Sequence, residues 1–354
     1  MSKQMRKKVI GYVGTRDLST VREQDILSLD VINIAFAGLV EGRVVWPGGE
    51  ESREALQRIR RIHPGIRLVL SVGGWGADGF SQAAANQAGR ERLAVSAAEL
   101  ADEYGLDGID IDWEYPGTSL AGIAACRDDK QNFTLLLQQL RETLDAAGPG
   151  RMLTIAAGGD TYFTLQTDIL EICRYLDYVM LMTYDLQGGF QTVTGHHAAL
   201  YQGRTNLIDA CVDKAVRVFG EAGLPAEKMV VGVPFYSRQW DRVKGGGDGL
   251  GQEAETIGHY GPDYGSLVDY IGPADRGNPE DHAPHGAYRR YWDAEAGVPY
   301  LFDGSTFISY EDQQSLAGKV AYIRERGLAG IMFWEYRSDP TGTLIPFIRE
   351  ELDK

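Results

Sequence analysis

Short apolar runs rich in β-branched residues recur along the chain at Val9–Val13, Val31–Ala37, Arg67–Val72, Gly108–Trp113, Leu153–Ala157, Tyr178–Thr183, Met229–Val233 and Gly330–Trp334. Their length and continuity fit strands buried on both faces. Between them lie segments of helical period. In Ser52–His63 the residues Ala55, Leu56, Ile59 and Ile62 share one face. Asp128–Ala147 carries Phe133, Leu136, Leu137, Leu140 and Leu144 opposite its charges, and Asn206–Ala222, Gln313–Arg326 and Thr341–Leu352 follow the same rule. Strands alternating with helices predict a parallel sheet, because parallel neighbours need long crossovers. Eight such units predict an α/β fold, a closed (β/α)8 TIM barrel.

The rhythm breaks between strand 7 and helix 7. Residues 239–303 contain Lys244-Gly245-Gly246-Gly247 and many Tyr, Trp, Gly and Pro, without a long helical period. A structureless loop of that length is improbable in a compact domain. The stretch is therefore expected to form a small α+β insertion on the C-terminal rim, with 1–238 and 304–354 making the barrel.

Composition narrows the function. With 35 Lys+Arg against 50 Asp+Glu the net charge is −15, which opposes binding to nucleic acid or an anionic membrane. No window reaches the roughly 18 apolar residues of a membrane span. The start MSKQMRKK is basic, but no apolar stretch follows. As written the chain reads as cytoplasmic, and as secreted if a signal has been removed. Cys126, Cys173 and Cys211 have no disulfide or metal spacing and are expected as free thiols on helices. His196-His197 is expected at the surface. The glycine-rich 245–251 lacks the Lys-Ser/Thr of a phosphate cradle. No cofactor or metal is expected, and the chain reads as a monomer.

The chemistry concentrates in Asp107-Gly108-Ile109-Asp110-Ile111-Asp112-Trp113-Glu114-Tyr115-Pro116. Side chains alternate across a strand, so Asp110, Asp112 and Glu114 share one face and Ile109, Ile111 and Trp113 the other. The apolar face packs on helices and the acidic face points into the barrel, with Glu114 at the C-terminal mouth. Crowding and desolvation raise at least one pKa there. Solvated acidic strands are common, but a barrel strand has no solvated face. Clustered carboxylates also hold metals, yet no His or further acid stands at ligand spacing nearby. A protonated carboxyl beside an ionised one suits glycoside hydrolysis. The two-residue spacing does not separate retaining from inverting chemistry.

This segment resembles the DGxDxDxE signature of glycoside hydrolase family 18, the bacterial-type chitinases with an α+β insertion. Ser71-Val72-Gly73-Gly74-Trp75 is similar to that family's SxGG motif, and Met182-Thr183-Tyr184-Asp185 to its MxYD motif. Gly232–Arg238 resembles GxPxYGR, with Ser237 at a common Gly. Pro299-Tyr300-Leu301, Ser309–Asp312 and Gly330–Glu335 match further segments in the same order. The resemblance implies chitin or chitooligosaccharide as substrate and retaining, substrate-assisted cleavage of β-1,4 bonds. It makes Glu114 the acid and then the base, Asp112 the residue that orients the 2-acetamido group, and Asp110 its proton-sharing partner. Tyr184 would donate to the acetamide and Asp185 hold the same end of the sugar. Trp334 would lie under the sugar, Trp75 and Phe190 on the leaving-group side, and Tyr12 and Phe36 at the floor. Tyr115, Met182, Tyr236 and Arg238 fall in the matching motifs as substrate-binding residues, with Arg238 either reaching substrate or bracing carboxylates. Alternatives are an endo-β-N-acetylglucosaminidase, a hydrolase of cell-wall fragments, and, from another class, a non-catalytic chitin-binding lectin, against which the presence of Glu114 argues.

Overall fold

The computed structural model describes residues 6–203, 207–271 and 288–354. Residues 272–287 of the expected insertion, Asn206 of an expected helix and the first five residues lie outside these. Eight strands match the apolar runs: β1 (Lys8–Gly14), β2 (Val31–Val40), β3 (Arg67–Gly73), β4 (Gly108–Asp112), β5 (Met152–Gly158), β6 (Tyr178–Met182), β7 (Met229–Pro234) and β8 (Gly330–Trp334). Each pairs in parallel with its neighbours, and β1 pairs with both β2 and β8. The sheet is closed, a (β/α)8 TIM barrel.

Alternation divides the strands between two cores. Outward residues such as Ile109, Ile111, Leu153 and Val231 join the layer under the helices. Inward residues such as Ile10, Val69, Met180 and Met332 fill the barrel. Trp113 faces outward, stacked on Phe80 at 5.4 Å and edge-on to Phe133 at 5.5 Å between ring centres. The helix Asp129–Ala147 buries Phe133, Leu136, Leu137, Leu140 and Leu144 on its expected face. Each such side chain contributes about 2 kcal/mol from area removed from water.

Several helices depart from the periodic reading. Gln87–Tyr104 was not marked by the pattern, because its buried face is mostly Ala94, Ala97, Ala98 and Ala101, which contrast weakly with their polar neighbours. Asn86 caps its start by accepting from Gly89 N. The helix expected at 206–222 runs only over Val212–Glu221, because extended Cys211 caps it and its thiol accepts from Lys214 N. The cysteines also depart from expectation. Cys126 is exposed in a loop, and the buried Cys173 and Cys211 sit at helix ends, not within helices.

A second, five-stranded sheet is wholly antiparallel, in the order His259–Asp263, Tyr236–Trp240, Phe307–Ser309, Val298–Phe302 and Arg289–Asp293. It starts one residue beyond β7, where Phe235 N donates to Trp334 O at 2.7 Å. The strands at 236–240 and 307–309 therefore extend past both ends of 239–303. Trp240, Tyr300 and Phe307 form one of its cores. Below it, the fully buried Lys319 ion-pairs with Glu311 and donates to Ala198 O at 2.6 Å. No helix among the described residues is long and apolar enough to cross a membrane.

Candidate active site

Strand β4 carries its acids up the barrel axis. Asp110, fully buried, accepts three hydroxyls from other strands, Ser71 at 2.7 Å and Thr154 at 2.7 Å from the neighbouring β3 and β5 and Tyr12 at 2.8 Å from β1 across the barrel. Burial raises its pKa and these donors oppose the rise. Asp112, one layer higher, is 4% exposed, and its Oδ1 is buried without a hydrogen bond among the described residues. Burial first, then the charges of Glu114 and Asp110, push it well above the usual carboxylate range. Three donors on Asp110 favour its charged form, whereas burial and two like charges favour the neutral form of Asp112. Gly73 makes room for the arrangement. Its φ is 125°, and a Cβ there would lie 2.0 Å from Asp112 O. Gly74 N then donates to that carbonyl at 2.9 Å.

Glu114 lies just past the end of β4. Burial pushes its carboxyl up to about 7; the nearby charge of Asp185 adds to this and a hydrogen bond with Tyr115 opposes it. The Glu114–Tyr115 peptide is cis, as are Ala35–Phe36 within β2 and Trp334–Glu335 at the end of β8. Tyr184 follows β6, its ring 6.2 Å from that of Tyr236 and at 80° to it. Burial, with Asp112 and Glu114, drives its phenol well above 10, so it stays an O–H donor.

Asp185 behaves oppositely. Burial favours its neutral form, but His197 and Arg238 outweigh this and hold it well below the usual carboxylate range. Arg238 Nε donates to Asp185 Oδ1 at 2.7 Å, and His197 Nδ1 stands 3.5 Å from the same oxygen. Arg238 is itself 8% exposed, so its observed contact is a brace on this carboxylate.

Aromatic rings complete the cleft. Phe36 stacks on Trp334 at 5.4 Å, and Tyr12 meets Trp334 edge-on at 5.8 Å. Met182 is buried in the same cluster, and Tyr236 is buried against Tyr184 and His197. Trp75, 56% exposed, lies 6.4 Å from Tyr115, and Phe190 is 70% exposed. Of the insertion aromatics, Trp240 is fully buried and donates to Gln191 O, which makes it core. Trp292 lies beside Arg290 and Tyr288 beside Tyr270.

Two residues at the site were not foreseen. The pair expected at the surface, His196-His197, is buried, with His196 on Asp293 at 3.0 Å and His197 facing Asp185. The loop after β6 folds beneath the second sheet, where His197 N donates to Ser309 Oγ. That sheet is distant in sequence, so local pattern carried no signal. Tyr260, 65% exposed, lies on the insertion with the Arg238 guanidinium 4.0 Å from its ring centre. The irregular insertion sequence gave it no distinguishing period. Among the described residues, no group of three or more His, Cys, Asp and Glu side chains is arranged to hold a metal ion.

A structure described as a novel glycoside hydrolase family 18 N-acetylglucosaminidase from Paenibacillus barengoltzii superposes with a TM-score of 0.91 at 45% identity, covering 98% of this chain and 99% of that one. Chitinase A1 of Niallia circulans is 38% identical over 315 residues, 84% of this chain but 44% of its own length. Mouse Chitotriosidase-1 is 30% identical over 316 residues, 85% of this chain and 65% of its own. The chain thus spans less than two thirds of either curated relative. Residues 8–339 match the family described as glycosyl hydrolases family 18. With that match running over nearly the whole sequence, the chain belongs to glycosyl hydrolases family 18.

Proposed function

We propose that the protein hydrolyses β-1,4 bonds between N-acetylglucosamine units of chitin or chitooligosaccharides, with retention and with the substrate's own acetamide as nucleophile. The observation that carries this is the file of acids on β4, which ends in Glu114 with its carboxyl pushed up to about 7. Such a group is protonated near neutrality yet able to lose its proton, as a residue that is first acid and then base requires. The names of the relatives, chitinases among them, support the substrate class.

In the first step Glu114 gives its proton to the glycosidic oxygen as the C1–O bond breaks and its electron pair goes to that oxygen. The acetamide carbonyl oxygen bonds to C1, giving a cyclic oxazolinium, and the leaving chain departs as an alcohol. Asp112 Oδ1, buried and unpartnered among the described residues, is the acceptor for the acetamide N–H. The Asp110–Asp112 pair supplies the negative charge that faces the oxazolinium, and the Tyr184 hydroxyl donates to the acetamide. Glu114 then takes a proton from water, whose oxygen attacks C1 and opens the ring. Two inversions leave the configuration retained. Trp334, on its platform of Tyr12 and Phe36, lies under the reacting sugar. Trp75 and Phe190 receive the leaving-group side, and Tyr260 offers its exposed ring from the insertion.

A second reading, release of single N-acetylglucosamine units, is favoured by the Paenibacillus barengoltzii structure, which covers 98% of this chain and 99% of that one. One experiment tests both. Mass spectrometry of products from an N-acetylglucosamine hexamer should give shorter oligomers with the native protein and none with Glu114→Gln. Monomer alone as the early product selects the second reading, and undiminished cleavage by Glu114→Gln overturns both.

A further inference from the structure

We propose that His197 is a positioning residue for Asp185: a neutral imidazole whose Nδ1–H shares Oδ1 with Arg238 and holds the carboxylate charged and oriented beside the acid Glu114. The proposal rests on the reading of function above and adds a residue to it.

The backbone brings the two together. Leu186 N donates to His197 O at 3.0 Å, which ties the turn carrying Asp185 to the segment carrying His197. Asp185 has φ 56°, a left-handed conformation that few residues other than glycine, aspartate and asparagine adopt readily. A carboxylate on such a turn depends on side-chain contacts for its direction. Both observed contacts, at 2.7 Å and 3.5 Å, fall on Oδ1. Oδ2 is left for the third of the side chain that remains open, 33% exposed.

The surroundings make His197 a donor and keep it uncharged. The ring is fully buried and lies edge-on to Tyr236 at 5.5 Å; neither nitrogen makes a close hydrogen bond among the described residues, but Nδ1 stands 3.5 Å from a carboxylate oxygen and Nε2 faces no such acceptor. A second N–H would be buried without an acceptor, at the cost of an unmade hydrogen bond. Facing the ring are Asp185 from the turn after β6, Tyr236 and Arg238 from the first strand of the second sheet, and Lys319 from the helix Gln313–Glu325. Burial first, then the two cations, oppose proton uptake, against the attraction of Asp185. The distinction has a consequence for catalysis. A neutral donor favours the charged form of Asp185 without cancelling the field by which that charge keeps Glu114 protonated, whereas a second cation would cancel it.

The test compares His197→Leu with His197→Asn, which share a side chain branched at Cγ, the Asn being the smaller, but differ in having an amide donor. Hydrolysis of a fluorogenic chitobioside is followed at pH 6, each variant alone and with Asp185→Asn. His197→Leu should lower kcat about tenfold, the worth of one hydrogen bond to a charged group, with KM changed less than about twofold. His197→Asn should recover most of that loss. In the Asp185→Asn background, Leu at 197 should cost nothing further. Equal activity of Leu and Asn variants, or the same loss in both backgrounds, overturns the proposal in favour of mere packing. Imidazole nitrogen NMR of the native protein gives an answer even if the variants do not fold. His197 should remain the neutral Nδ1–H tautomer from pH 5 to pH 8, and an imidazolium or an Nε2–H tautomer at pH 6 overturns it. If the native protein cleaves no N-acetylglucosamine oligomer, the functional reading fails while the NMR result still decides the state of His197.

Discussion

The ionisation of Glu114 makes the sharpest prediction. With its carboxyl pushed up to about 7, the fraction protonated is about ten elevenths at pH 6 and one eleventh at pH 8. The first step needs the protonated form, so kcat/KM should fall about tenfold between these values, with one proton governing the limb. An ordinary glutamate would be only about 2% protonated at pH 6, and its limb would be complete two units lower. The sign of the perturbation follows from the structure. Asp185→Asn removes an anion whose field raises Glu114, and it leaves Arg238 as an uncompensated cation. Both changes favour the Glu114 carboxylate, so the limb moves to lower pH. The assay is kcat/KM on a soluble chitobioside from pH 4 to pH 9 for the native protein and the variant. A profile flat to pH 9, or a limb that moves upward in Asp185→Asn, would refute the assignment of Glu114 as an acid tuned by burial and by Asp185.

Two further predictions concern the second sheet. Lys319→Met strands Glu311, whose side chain is 1% exposed, in a buried site where the Ser315 hydroxyl is its remaining partner among the described residues. The cost should be about 3–5 kcal/mol, or roughly 4–7 °C in Tm for a chain of this size. Scanning calorimetry checks it, and Lys319→Met with Glu311→Leu should recover most of the loss; an equal loss in the double variant would show that the charge is not the cause. Tyr260→Ala should raise KM for a chitooligosaccharide about three- to tenfold, as expected for one exposed ring face, with kcat changed far less, and steady-state kinetics separate the two.

The barrel was readable because its strands are continuous β-branched runs, and the acids on β4 because a two-residue period is visible without a fold. Helices built on leucine were readable for the same reason. Gln87–Tyr104 was not, since alanine buries a face without marking it. The limits of sequence show most clearly at His197. A buried histidine and an exposed one look alike in a loop, and what buries this one is a strand more than a hundred residues away. Ser71 and Thr154 illustrate the intermediate case. Each sits at an inward position of a recognisable strand, but that both donate to Asp110 depends on the relative registers of β3, β4 and β5. Register is a property of the closed sheet and is not written in any one strand.

The three hydroxyls on Asp110 therefore bear on folding fidelity. They come from β1, β3 and β5, and side chains alternate along each strand, so a slip of one residue in any of them would turn its hydroxyl out to the helix layer. The slipped barrel would enclose a carboxylate with a missing donor, a fault costing about 1–3 kcal/mol at each site. An apolar barrel interior tolerates many registers of similar energy. A single buried acid that needs partners from three strands makes most of them unequal. The residue at the base of the catalytic file thus doubles as a checkpoint on strand alignment, and sequences that lose it should show misaligned barrels before they show unfolded ones.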